Sequence, residues 1–428
     1  MQKTFLKKDF EKAILHIDGD GFFAGCEIAK DPSLRGKSVV VGRERGMVIA
    51  MNYIAKAQGI KRGMTIREAR ALAPATVFCD ADHASYKLFN GRMNNIIERY
   101  TPHIDRYSVD ESFADITGLP LSFKMSYAEI AMDIKETLKR ELGMTFSVGV
   151  APTKVLAKIA SNFKKPDGLT IILGSEIEKF LEIFPIEKVW GIGKQTALHM
   201  STLGISTGLQ FVERSEGFVT DTFSKPQHEL WLELRGESVL SLNTGKRAPY
   251  KSLMRTRTFT PPTHKKDFLL AELSHHIEVV CVRAREHHLS GRVIGFFLKT
   301  QEFKYHGFSV KLSRHTNIPH ELLAVLHDRI EDLYQEDTLY RAAGVTLSEL
   351  HNASATQLNL FDTTLRIEGL ERVYEHVDEL NTRFGKTVVH LACSKHLLDQ
   401  TRAGRPKKGS EKKNDDISRL GIPLVGTI

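Results

Sequence analysis

The chain is predicted to be a mixed α/β protein of the α+β kind, with an N-terminal α/β unit, a helical stretch and a small C-terminal β-α-β-β-α-β domain. Three observations point there. Short β-branched runs alternate with helical periods over roughly the first 175 residues. Residues 177–243 then read as mostly helical, with glycine turns at Gly191, Gly193 and Gly204. After a polar Gly/Pro-containing linker at 244–250, strand patterns return over 251–352. At 428 residues the chain exceeds one core, and roughly two to four domains are expected.

The elements follow in order. Residues 13–17 and 37–42 read as buried strands, the second ending at Gly42. Another strand is expected over 46–51, a helix over 65–73 that stops at Pro74, and a longer helix over 83–100. Strands near 104–109 and 112–117 bracket Asp110 and Glu111. Ser126 and Glu129 form a capping-box signature, and Ile130, Ile134, Leu138 and Leu142 recur every four residues behind it. A strand over 144–150, a helix over 153–164 and a strand over 169–173 complete an α/β unit with an insertion at 29–77. Beyond the linker come a strand at 251–259, a helix at 266–289, strands at 293–299 and 308–312, a helix at 319–334 and a strand at 341–347. Past 352 the composition turns polar, and 402–416 lacks any apolar period, so a largely disordered basic tail is expected.

Composition narrows the class. The chain is 41% hydrophobic and 26% charged, ordinary for a globular protein, with a formal charge of +8 that suits a polyanion partner. The four cysteines are scattered without CxxC spacing, which argues against a disulfide framework or a zinc site. No apolar run approaches membrane-spanning length, and Lys7 and Lys8 fall where a signal peptide needs its apolar core. A cytoplasmic, reduced protein is expected.

The chemistry is concentrated in two acidic spots. Asp18 ends the run Ala13-Ile14-Leu15-His16-Ile17, and Asp110-Glu111 lies inside Tyr107-Ser108-Val109-Asp110-Glu111-Ser112-Phe113. Carboxylates at strand ends repel one another unless a cation joins them. Three of them suit two divalent ions, which clamp the oxygens of a phosphoryl displacement. The competing reading makes Asp18 a cap and the doublet a solvated hairpin tip. Gly19 and Gly21 let the backbone approach a ligand, and the helix start after them offers free N–H groups to an anion. Asp20 and Asp115 read as structural.

The segments His16-Ile17-Asp18-Gly19-Asp20-Gly21-Phe22-Phe23 and Tyr107 to Phe113 resemble the two catalytic motifs of Y-family, lesion-bypass DNA polymerases. The likeness continues through Asn52 to Lys56, Ser147 to Ser161 and Lys164-Lys165-Pro166-Asp167-Gly168, in the family's order, over roughly residues 13–350. The resemblance implies a right-hand polymerase. The palm would be 1–28 and 78–176, the small fingers 29–77, the helical thumb 177–243 and the little finger 251–352. It also implies a function: template-directed addition of dNTPs to a primer 3′-hydroxyl, at low fidelity and without proofreading, on primed template DNA.

The resemblance further implies roles for single residues. Asp18 and Asp110 would hold two Mg²⁺ ions, Glu111 the ion that activates the primer hydroxyl, and the Gly19 carbonyl would complete the nucleotide-side ion. Phe22 and Phe23 would face the nucleotide, with Phe23 as the steric gate against a 2′-hydroxyl. Plain core packing is the other reading of Phe23. Tyr53, Lys56 and Lys165 would meet the triphosphate, although many members carry Arg where this chain has Lys56. Met47 and Ile49 are larger than the residues family members often place over the nascent base pair.

DNA contacts are expected at the hairpin Gly191, Gly193 and Lys194, whose amides suit a phosphate, and on the little-finger strands at Arg255, Arg257, Lys311 and Arg314. A helix–helix turn and a solvated face are the ordinary alternatives. His275, His276, Cys281, His287 and His288 read as surface and packing residues, not a metal site. Gln357-Leu358-Asn359-Leu360-Phe361 resembles the pentapeptide that docks bacterial sliding clamps, so Gln357, Leu358, Leu360 and Phe361 are expected clamp contacts in a bacterial, nucleoid-associated monomer. Two rivals remain: a non-catalytic DNA- and clamp-binding scaffold of the same fold, and a template-free nucleotide-cyclase-like palm enzyme.

Overall fold

The computed structural model describes residues 12–245, 250–353, 364–384 and 388–394. They fall into two compact units, the described residues up to 245 and those from 250 onward. In chain order the first unit carries strands β1 (Ile14–Gly19), β2 (Val39–Val41), β3 (Ala50–Met51), β4 (Val77–Cys79), β5 (Ile104–Asp105), β6 (Glu111–Asp115), β7 (Phe146–Ala151) and β8 (Leu169–Ile171).

Five of these form one sheet in the order β5-β6-β1-β7-β8. β1 pairs antiparallel with both β6 and β7, and every residue of β1 is buried. Its two faces enter different cores, as the two-residue strand period requires. Leu15 and Ile17 pack with Ile134 and Leu138 of the helix Tyr127–Leu142, which starts at the expected Ser126–Glu129 capping box. Ile14 packs with Phe113, Val155 and Ile159 toward the helix Lys154–Phe163. That helix lies hard against β7. A Cβ on Gly149 would come within 2.2 Å of the Ala157 carbonyl and 2.3 Å of the Ser161 nitrogen, so only glycine fits.

A three-stranded sheet, β3-β2-β4, has its own small core of Val40, Val48, Ile60, Ala69 and Phe78. The boundary expected between residues 77 and 78 therefore runs through β4. The strand expected over 46–51 is shorter, Ala50–Met51 only, because Val48 bonds to the loop at Gly63 and Met64 instead of a strand. The strand expected over 104–109 also stops early, at Asp105. Residues 108–110 are held as a turn: Ser108 N–H donates to the Glu111 carbonyl, and the Asn90 amide donates to the carbonyls of Ser108 and Val109.

Residues 177–243 are helical as expected, with helices Ile177–Ile183, Lys194–Thr202, Gly208–Val212, Glu216–Thr222 and Lys225–Leu234. Their core is continuous with the Ile14 face of the large sheet. The fully buried Glu233 straps the departing chain to it, accepting from Val155, Val239 and Leu240 N–H at 3.2, 2.8 and 2.8 Å.

The second unit is an antiparallel sheet of β9 (Ser252–Thr263), β10 (Leu289–Thr300), β11 (Tyr305–Thr316) and β12 (Tyr340–Asn352), in the order β11-β10-β12-β9. Helices Lys266–Glu286 and Pro319–Arg329 cover one face, where Ile294, Phe296, Leu298, Val345 and Leu347 meet Leu273, Ile277 and Leu326. The element order is the expected β-α-β-β-α-β. A helix, Thr364–Phe384, forms where a disordered tail was expected. Ile367 and Tyr374 bury against Ile318, and Arg285 pairs with Asp378 at 2.6 Å. The tail at 402–416 and the Gln357–Phe361 segment lie outside the described residues.

Candidate active site

The large sheet brings the two acidic spots together at one end. Asp18 and Glu111 are register partners across β1 and β6, so their side chains share a face. Gly19 N–H donates to the Asp110 carbonyl at 2.9 Å, which sets the doublet beside the end of β1. Asp18 is 8% exposed. Burial raises its pKa to about 6, with Glu111 and Asp110 adding to the rise and Lys165 opposing it.

Each carboxylate has its own partner. Lys165 Nζ stands 2.5 Å from Asp18 Oδ1, and Lys158 Nζ stands 2.5 Å from Glu111 Oε2. The Ser108 hydroxyl donates to Asp110 Oδ1 at 2.5 Å. Burial would raise Glu111, but His16 and Lys158 facing it outweigh that and hold it at about 2. His16 is fully buried, and desolvation drives it down to about 4, so it is neutral at pH 7. Its Nδ1 shares a hydrogen with Ser161 Oγ at 2.7 Å, while its Nε2 lies 3.8 Å from Glu111 Oε2 without a hydrogen bond.

Asp18, Asp110 and Glu111 offer oxygen donors only, and Gly19 adds a backbone carbonyl at the strand end. That donor set suits Mg²⁺ in kind. The lysines on Asp18 and Glu111 are ammonium charges standing where like charges would otherwise repel. Among the described residues, however, no three His, Cys, Asp or Glu side chains are gathered closely enough to hold an ion together.

The nucleotide-binding candidates divide. Phe22 is 3% exposed, and its ring packs in the core against Gly19. Phe23 is half-buried and stacks on Tyr86 at 4.3 Å between centroids, with His83 edge-on at 5.6 Å. Tyr86 in turn donates to Glu27 Oε1 at 2.7 Å, which fixes the backing ring. Tyr53 begins a helix capped by Asn52, and burial, then the nearby Asp20 and Asp18, push its hydroxyl up to about 12. Lys56 is exposed, its ammonium 5.1 Å from the Tyr53 ring. Lys165 sits in a loop that Asp20 and Asp167 hold. Asp20 accepts from Ser147 Oγ at 2.8 Å and from Asp167 N–H at 2.7 Å, and Asp167 pairs with Lys135 and Lys139 at 2.6 Å each. Asp115 caps a turn at the far end of β6, accepting from Thr117 N–H at 2.9 Å.

The expected DNA contacts also divide. Gly191, Gly193 and Lys194 are exposed at a hairpin, with Gly191 at φ 94. Trp190 beside them packs edge-on to Tyr107 at 5.3 Å, and Lys158 lies 5.2 Å from the Trp190 ring. Arg255 and Arg257 share the strand face of Leu253 and Phe259, the helix-covered face; Arg255 is half-buried there, while Arg257 pairs with the fully buried Glu272 at 2.5 Å and stays exposed on the edge strand. Strand alternation puts Met254, Thr256 and Thr258 on the opposite face instead. Arg314 is buried and turned to Glu321. Lys311 is exposed on the opposite face, 3.2 Å from Glu349.

Four residues around the site escaped the sequence reading: His16, Tyr86, Asn90 and Lys158. Lys158 carried a signal, since it follows Lys154 by one helical turn and the two reach Glu111 and Asp105 on neighbouring strands. Tyr86 and Asn90 carried none, because their partners are brought in by the tertiary fold.

The impB/mucB/samB family matches over residues 17–162, and its C-terminal domain matches over 250–360. The chain is 31% identical over 363 residues to DNA polymerase IV of Streptococcus thermophilus, covering 83% of this chain and 98% of that protein. It is 32% identical over 387 residues to DNA polymerase IV of Moorella thermoacetica, covering 89% and 96%. A solved Y-family DNA polymerase chimera of Dbh and Dpo4 shares the fold, with a TM-score of 0.66 and 24% identity over 79% of this chain and 98% of that one. No helix among the described residues is long and apolar enough to cross a membrane. The palm-type sheet with Asp18 and Glu111 opposed at its end, the small β3-β2-β4 sheet, the helical region and the separate β9–β12 unit fit those relatives, and the chain belongs to the impB/mucB/samB family of Y-family, lesion-bypass DNA polymerases.

Proposed function

We propose that this polymerase adds deoxynucleotides to a primer 3′-hydroxyl with Asp18, Asp110 and Glu111 as the catalytic carboxylates. The observation that carries the reading is the opposition of Asp18 and Glu111 on one sheet face, with Asp110 bonded to the end of β1. Two Mg²⁺ ions held by these carboxylates and the Gly19 carbonyl would supply Lewis-acid stabilisation of the attacking and leaving oxygens. Lys165, 2.5 Å from Asp18, would take a triphosphate oxygen, with Tyr53 and Lys56 as further contacts. Lys158 orients Glu111. Phe23, fixed from behind by Tyr86, excludes a 2′-hydroxyl by contact.

Further assignments follow from the same reading. The palm is 1–28 and 80–176 and the fingers are 29–79, the border moved so that all of β4 lies in the fingers; the thumb is 177–243 and the little finger 251–352. DNA contacts fall on the Gly191–Lys194 hairpin and on Lys311. Synthesis is of low fidelity and without proofreading. Residues 357–361 dock a bacterial sliding clamp, and the protein works as a monomer in the cytoplasm at the nucleoid. Primer extension on a primed template with Mg²⁺ and dNTPs tests the reading against both rivals. A scaffold extends nothing, and a cyclase consumes nucleotide without a template.

A further inference from the structure

The turn between β10 and β11 gathers two exposed rings and two cations. Phe303 is 60% exposed and Tyr305 62%. The turn is closed by Thr300 N–H to the Lys304 carbonyl at 2.9 Å and Phe303 N–H to the Thr300 carbonyl at 3.1 Å, with Phe303 at φ 68, where bulky residues are rarely found. Lys299 Nζ lies 4.8 Å from the centroid of each ring, and the Arg341 guanidinium lies 4.3 Å from that of Phe303. Neither cation forms an ion pair among the described residues. The carboxylate in the same turn, Glu302, is engaged by its own backbone N–H and by Thr300.

The platform continues a larger surface. Lys299 and Tyr305 are register partners, so both stand on the sheet face that carries Phe297, Ser309 and Lys311, opposite the two helices. Both rings keep most of their area in water, although Tyr305 also lies 5.5 Å from the Phe297 ring. Positive charge stands beside both rings, which favours a polyanion over a neutral protein segment. An intact duplex hides its base faces and presents only phosphate. An unpaired nucleotide presents both a free base face and a phosphate, and aromatic rings among cations are how single strands are held.

We propose that Phe303 and Tyr305, with Lys299 and Arg341, bind one or two unpaired nucleotides of single-stranded DNA, the rings stacking on bases and the cations meeting phosphates. The proposal goes beyond nucleotide addition and does not depend on it, since binding a single strand needs neither metal nor dNTP.

The test uses the full chain and fluorescence anisotropy with labelled oligothymidylate, the same strand made abasic, and a blunt duplex. The wild type is expected to hold oligothymidylate at least tenfold more tightly than the abasic strand. Phe303→Ala/Tyr305→Ala is expected to erase that difference while losing less than threefold on the duplex. Phe303→Trp/Tyr305→Trp, which keeps flat rings, is expected to retain it. Equal binding of oligothymidylate and abasic strand by the wild type overturns the proposal without any variant. So does undiminished oligothymidylate binding by the alanine pair, the result expected if the rings serve a protein.

Discussion

Asp18 and Glu111 oppose each other across an antiparallel pair, a placement that like charges resist. Each has acquired a lysine, and Lys165 and Lys158 come from the β7–β8 connection and its helix. The two carboxylates are thus each charge-compensated by a lysine. Asp18 and the doublet were legible in the sequence because each interrupts or ends an apolar run. Phe23 was legible only by position; what gives its ring a fixed place is Tyr86, 63 residues along the chain and stacked behind it. Phe23→Ala is accordingly expected to lower discrimination against ribonucleotides by roughly ten- to a hundredfold. Parallel rNTP and dNTP incorporation by wild type and variant measures this, and unchanged discrimination would leave Phe23 a packing residue.

At the scale of elements, period and face decide what a residue can do. The apolar run Ala13–Ile17 placed β1 in the core, and the period of two sets Arg255 and Arg257 on the face of β9 that the helices cover, where Arg257 reaches Glu272 and remains exposed at the sheet edge. Which face of β9 is covered depends on the partner helix, and that was not legible from the strand alone. The helix Thr364–Phe384 was missed although Ile367, Leu370, Tyr374 and Val377 recur at helical spacing, because the polar background outweighed them. Under the same helix layer, His276 is fully buried beside Glu272, with Nε2 3.6 Å from Oε2, and faces His275, Arg255 and Arg257. Desolvation first, then its electrostatic neighbours including the two arginines, lowers it to about 3. A histidine depressed in the fold takes its proton when unfolded, so its contribution is present above pH 6.5 and is lost as pH falls toward 3. At pH 5 the loss is on the order of 1–2 kcal/mol. Glu272, pushed up by burial, titrates in the opposite sense, so the comparison is with His276→Leu. Urea unfolding at pH 7 and pH 5 is expected to show a smaller stability drop in the variant. An equal drop in both proteins would remove His276 from the account.

Across the whole molecule, the +8 charge and two separately folded units suit a protein that meets DNA at more than one place. The segment Gln357–Phe361 follows β12 and precedes the helix Thr364–Phe384, outside both catalytic motifs. Leu360→Ala/Phe361→Ala is expected to weaken binding to a bacterial sliding clamp by about a hundredfold or more, each buried anchor contributing about 2 kcal/mol. Extension of short primers without clamp is expected to stay unchanged. Surface plasmon resonance with immobilised clamp reads the first, and full clamp binding by the variant would end the partner assignment. The three carboxylates at the end of β1 and β6 are the groups proposed to perform nucleotide addition on DNA. Single-nucleotide incorporation with Mg²⁺, measured alongside primed-template binding for wild type, Asp110→Ala and Glu111→Ala, tests this assignment most directly. The account predicts that each variant loses on the order of a hundredfold or more in incorporation rate and binds primed template as the wild type does, whereas near-wild-type incorporation by either variant would contradict it.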